Sequence, residues 1–82
     1  MRISGIVRDV NTKRPIEGAL VSFCGFSTTT NERGEFTLEV PLGSVCTLRI
    51  TARDYSPYEE PLLVLFDIYR EIELVPVVPV LR

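Results

Sequence analysis

A glycine or a proline interrupts this 82-residue chain about every ten residues, from Gly5 to Pro79. Between the breaks, apolar and polar side chains alternate. Nowhere do apolar residues recur at the three-and-four spacing of a helix that packs on one face. Short strands joined by tight turns are what such a chain can form, and at this spacing they predict a sandwich or a small barrel. The length holds one domain.

The first strand is expected over Arg2 to Asp9, with Ile3, Gly5 and Val7 on one face and Arg2, Ser4, Ile6 and Arg8 on the other. Asn11 to Pro15 closes it as a polar turn. Gly18 to Cys24 sets Ala19, Val21 and Phe23 against Leu20, Ser22 and Cys24. Both faces are fairly apolar, which predicts a central strand partly covered on its outer side. Phe26 to Thr30 reads as a short strand. Asn31-Glu32-Arg33-Gly34 suits a type I turn ending in a left-handed residue, which glycine adopts without a Cβ clash.

Phe36, Leu38 and Val40 then alternate with Glu35, Thr37 and Glu39, and Val40-Pro41-Leu42-Gly43 forms the next turn. Cys46, Leu48, Ile50 and Ala52 alternate with Thr47, Arg49, Thr51 and Arg53, and Asp54 to Tyr58 is a loop. The apolar run Leu62 to Phe66 reads as a strand buried on both faces, or as one whose outer face meets a partner. Tyr69 to Val75 is the last strand. Pro76 and Pro79 cannot continue a central strand, because each removes a ladder donor. Residues 1–76 are therefore expected to form the domain and 77–82 an extended tail or linker stub.

The chain has no histidine, which removes the usual general base and the commonest metal ligand. Serine and cysteine nucleophiles then lack an activating partner. Glu59 and Glu60 are adjacent, so an extended chain places them on opposite faces, and they read as solvated loop charges rather than an acid/base pair. No catalytic residue, metal ligand or cofactor site is expected. The net charge is −2 with basic residues dispersed, which argues against nucleic acid. No stretch reaches the roughly 20 apolar residues of a membrane helix, and Met1-Arg2-Ile3-Ser4-Gly5 does not read as a signal peptide. Cys24 and Cys46 do not make a zinc motif. Free cysteines are among the most buried residue types, so two buried thiols are expected, with a disulfide as the alternative in an exported protein.

Gly5-x-Val7-x-Asp9 followed by Pro15-Ile16-Glu17-Gly18-Ala19-Leu20-Val21 resembles the start of the carboxypeptidase regulatory-like domain, a member of the transthyretin-like group. The resemblance continues through Thr30-Asn31, Gly34-Glu35-Phe36-Thr37-Leu38, Val40-Pro41-Leu42-Gly43 and Leu48-Arg49-Ile50-Thr51-Ala52 to Tyr55. It spans residues 3 to 75. Asp54 stands where the family often has glycine, and aspartate tolerates the left-handed conformation better than most residues. The resemblance implies a seven-stranded antiparallel two-sheet β-sandwich of Greek-key topology without a catalytic site. Such modules act as folding supports, spacers or docking surfaces of larger proteins, commonly secreted or on the cell surface. Enzymes related to this group, the hydroxyisourate hydrolases and intradiol dioxygenases, need histidines that this chain lacks.

Two kinds of surface residue remain. Phe26, Tyr55, Tyr58 and Tyr69 are candidates for a partner surface, or for a platform that stacks on sugar rings as in starch-binding-like sandwiches. The alternative is that Tyr55 closes a corner of the sandwich and Phe26 plugs one end. Arg49, Arg53, Glu35 and Glu39 read as cross-strand charge pairs. A monomer is expected, with edge-strand pairing through Leu62 to Phe66 and the apolar tail as the route to a dimer.

Overall fold

The computed structural model describes residues 1–77. Seven strands follow in order: β1 (Arg2–Asp9), β2 (Leu20–Phe23), β3 (Phe26–Thr29), β4 (Glu35–Glu39), β5 (Val45–Thr51), β6 (Tyr58–Leu63) and β7 (Ile68–Leu74). They make two sheets, ordered β4-β1-β7 and β3-β2-β5-β6. The all-β, seven-stranded, two-sheet fold is the one expected. One pairing departs from an all-antiparallel sandwich, because β1 and β7 run parallel over Ile3↔Ile68 to Asp9↔Leu74. β7 enters its sheet only after the chain has crossed from β6 in the other sheet. It therefore arrives free of the hairpin constraint that makes neighbours antiparallel.

The alternation places the faces as read. Ile3 and Val7 of β1 are completely buried, Ile72 and Leu74 of β7 lie beside them in the same sheet, and Val21 of β2 with Leu48 and Ile50 of β5 meet them from the facing sheet. Thr30 is the one buried polar side chain among the described residues. Its hydroxyl donates to the Ile16 carbonyl at 2.6 Å and accepts from the Ala19 amide at 2.9 Å. This satisfies two backbone groups that the β1–β2 connection would otherwise bury unpaired.

The turns follow the turn chemistry. The Asn31 side-chain oxygen accepts from the Arg33 and Glu35 amides at 2.9 and 3.0 Å, and Gly34 adopts φ 76°. A Cβ at Gly34 would meet the Val7 carbonyl oxygen at 2.5 Å, and the Val7 amide donates to the Gly34 carbonyl at 2.8 Å. Asp54 adopts φ 68°, the left-handed geometry expected of it.

Three expectations are corrected. β2 is central, but its outer side is open, with Leu20 exposed; the apolar residues there lie over no covering element among the described residues. The last strand of the four-stranded sheet, β6, begins at Tyr58, four residues before the apolar run, and carries Pro61 within it. Proline is tolerated because β6 is an edge strand and one side of its backbone needs no donor. The run Leu62 to Phe66 is not buried on both faces: Leu62 and Val64 are buried, and Leu63, Leu65 and Phe66 are exposed. The expected tail begins at the rim of the domain, where Pro76 bridges to Tyr55 and the Val77 amide donates to the Asp54 carbonyl at 2.8 Å. Residues 78–82 of that tail lie outside the described residues.

Candidate functional site

The strand register sorts the side chains into two ends. β1 and β7 finish at the end where β5 finishes and β6 begins; Tyr55 and Tyr58 belong there. At the opposite end lie the β2–β3 turn, the β4–β5 turn and the β6–β7 connection, with Phe26 and Tyr69. The four candidate aromatics are thus divided between the two ends rather than gathered on one platform. Phe26 and Tyr69 are exposed, at 43% and 58%. Phe26 does not plug the core, because β3 is the outermost strand of its sheet and leaves the ring at the margin.

Tyr55 closes a corner, as the alternative reading had it. Its ring packs on the core, and its hydroxyl donates to Asp9 Oδ2 at 2.7 Å. Asp9 Oδ1 accepts from the Asn11 and Thr12 amides at 2.7 and 3.1 Å. The Tyr55 hydroxyl, followed by these amides, holds the Asp9 carboxyl below the usual carboxylate range. The same hydrogen bond, with burial, raises the Tyr55 phenol.

A second polar group bridges the open side between the sheets. Arg70 of β7 and Glu60 of β6 both face inward, and the guanidinium meets the carboxylate through Nε at 3.1 and 3.2 Å and Nη2 at 3.1 Å. The Tyr58 hydroxyl donates to Glu60 Oε1 at 2.9 Å. Arg70 lowers the Glu60 pKa despite partial burial, and burial raises Tyr58. Glu59, on the other face of β6, pairs with Arg49. The opposite-face expectation for Glu59 and Glu60 holds. The loop expectation does not, because both lie within β6 and Glu60 turns inward. The four-residue charge set is also rearranged. β4 and β5 lie in different sheets, so Glu39 pairs with Arg2 and Glu35 with Arg33 rather than with Arg49 or Arg53.

These depressed carboxyls set the acid limb of stability. The folded forms of Asp9 and Glu60 release protons more readily than unfolded carboxyls, so the unfolded chain binds more protons in acid. Their contribution is complete above the unfolded carboxylate pKa of about 4 and is lost as pH falls through the lower folded values. Thermal unfolding followed from about pH 7 to about pH 2 should show a falling Tm, with a shallower acid slope in Glu60→Gln. At neutral pH that variant should lose about 1 kcal/mol, a figure already reduced for the partial solvent access of the pair.

Cys24 and Cys46 form a disulfide with Cα atoms 5.5 Å apart. The expectation of two buried thiols is overturned, since Cys24 is exposed in the β2–β3 turn and the start of β5 brings Cys46 beside it. Both turn residues have positive φ, 51° at Cys24 and 83° at Gly25, the geometry of a two-residue type I′ hairpin.

Among the described residues, no three of His, Cys, Asp and Glu gather as metal ligands. A shallow cleft of about 330 Å³ lies between β3 and β4, lined by threonines, Asn31, Glu35 and Phe36. Asn31 and Glu35 are already engaged there by the turn and by each other. Among the described residues, no helix is long and apolar enough to cross a membrane.

The carboxypeptidase regulatory-like domain family matches residues 2–67 of the chain. The chain belongs to this family. The match runs from the start of β1 to the β6–β7 connection, so it takes in the whole four-stranded sheet and two strands of the other. No curated protein matches it significantly in sequence. Among solved structures it is similar to chains from two interface mutants of a type II cohesin–X-dockerin complex from Acetivibrio cellulolyticus. The N-terminal interface mutant superposes with TM-score 0.76 at 22% identity, covering 93% of this chain and 58% of that one. The C-terminal interface mutant gives 0.73 at 21%, covering 92% and 56%. A Bacteroides fragilis protein of unknown function gives 0.67 at 17%, covering 96% and 28%. The chain thus spans little more than half the length of the first two, and the likeness is one of fold.

Proposed function

We propose that this carboxypeptidase regulatory-like domain is a non-catalytic docking module that holds a neighbouring domain or a protein partner. The observation that carries the reading is the distribution of side chains. Core and turn positions take up nearly every strand, the ionisable groups pair across strands, and large apolar side chains stay open at one end. A fold shared with chains of a protein–protein complex is in keeping with docking. The glycan reading has less support, because its four aromatics are split between the ends and the Tyr55 and Tyr58 hydroxyls are engaged within the domain.

A photo-crosslinking residue placed at position 63, in the cells that make the protein, should capture a protein. The same residue at position 20, exposed at the far end of the same sheet face, should not. Turnover of a chromogenic ester, peptide or glycoside by the purified chain, abolished by a surface substitution, would overturn the reading. Specific retention on a glycan array would replace it with the carbohydrate alternative.

A further inference from the structure

The open apolar side chains form one continuous surface. Val45 and Leu63 stand directly opposite each other on the outer face of β5 and β6. Leu42 lies in the adjoining β4–β5 turn, and Leu65 and Phe66 in the β6–β7 connection. The Gly43 amide donates to the Val64 carbonyl at 2.7 Å and the Val64 amide to the Ser44 carbonyl at 2.9 Å, which ties the two segments side by side. Val64 is fully buried, so chain alternation turns Leu63 and Leu65 outward. Phe66, Val45 and Leu42 are 74%, 72% and 65% exposed.

Resting on the docking reading above, we propose that this end of the sandwich is a self-association surface that takes a second copy of this chain in a two-fold dimer. Size is the first argument. At roughly 200 Å² for a fully open side chain of this kind, the five residues leave on the order of 600 Å² of apolar surface. One partner in a stable interface contributes about 800 Å². Charge is the second. The Arg2 side chain meets Glu39 at 2.8 Å, and the Asp67 carboxylate, which accepts from the Arg2 amide at 2.9 Å, also feels the Arg2 charge. The five apolar residues carry no charge themselves, so two copies can meet over them without burying an ion. A lipid surface would favour cations around the apolar residues, and this end offers no surplus of them. In a two-fold arrangement the same patch serves both sides, so Phe66 of each copy can lie against the Val45–Leu63 shelf of the other.

Sedimentation equilibrium of the chain across a hundredfold concentration range, about 5 to 500 µM, should show a monomer–dimer equilibrium. Phe66→Asp and Leu42→Asp should each weaken it by about tenfold or more, the effect of losing a central anchor. Circular dichroism melts should stay unchanged, since both side chains are already solvent-exposed. Leu20→Asp, at the far end of the same face, should leave the equilibrium as it is. A monomer at every concentration overturns the proposal, as does a dimer indifferent to Phe66→Asp and Leu42→Asp, or binding to phosphatidylcholine vesicles without dimerisation. A monomer that still crosslinks a different protein from position 63 removes the self-association proposal and leaves the docking reading standing.

Discussion

Gly5→Ala will unfold this domain or lower its Tm by more than about 15 °C. Gly5 sits on the inner face of β1, the central strand of its sheet, in register with Phe36 of β4 and Arg70 of β7. A Cβ added there would meet the Arg70 carbonyl oxygen far inside van der Waals contact and the Phe36 ring at 3.0 Å. The ring could tilt. The carbonyl cannot, because it belongs to a backbone held along seven register pairs with β1. Overpacking a core costs about 1–3 kcal/mol when side chains can give way. With backbone as the obstruction the cost should reach about 4 kcal/mol, much of what holds a domain of this size together. Circular dichroism melts of Gly5→Ala beside Ser4→Ala, on the opposite face of the same strand, provide the check. A Gly5→Ala melt within a few degrees of wild type would show that β1 and β7 do not meet as described.

Breaking the Cys24–Cys46 bond should cost about 3 kcal/mol and lower the Tm by roughly 15 °C. The bond closes a loop across 22 residues and joins the β2–β3 turn to the start of β5. Removing it returns loop entropy to the unfolded chain. It also releases Cys24, which holds φ 51°, a conformation that costs a residue with a side chain about 1–2 kcal/mol. A melt with and without reductant, repeated on the double serine variant, measures the effect, and a thiol titration of the native protein should find no free sulfhydryl. Equal melting temperatures in all of these would show that the bond is not structural. Such bonds persist in oxidising compartments, so chain recovered from a reducing cytosol should show the lower Tm until it is oxidised.

Much of this architecture was legible in the residues alone. The bounds of β1, the inward set Ile3, Gly5 and Val7, the left-handed turn at Gly34 and the edge between polar and apolar faces of β4 all follow from alternation and turn chemistry. The corner made by Tyr55 was also in view. The Cys24–Gly25 hairpin was harder to see, because cysteine is an uncommon first residue for a turn that demands positive φ twice. Glu60 and Arg70 gave no signal. Their spacing of ten residues means nothing until β6 and β7 become edges of facing sheets on the same open side.

The alternating pattern by itself determined that the chain makes short strands, where most of them lie and which side chains turn inward, because the period of two is a local property of an extended backbone. Tertiary structure alone decided the rest. It put β4 and β5 in different sheets, which gave Glu35, Glu39 and Arg49 partners outside the expected charge set. It joined two cysteines that the chain keeps 22 residues apart. It also turned Leu63, Leu65 and Phe66 to solvent beside Leu42 and Val45, because strand partnership depends on which distant segments meet, and no local period encodes that.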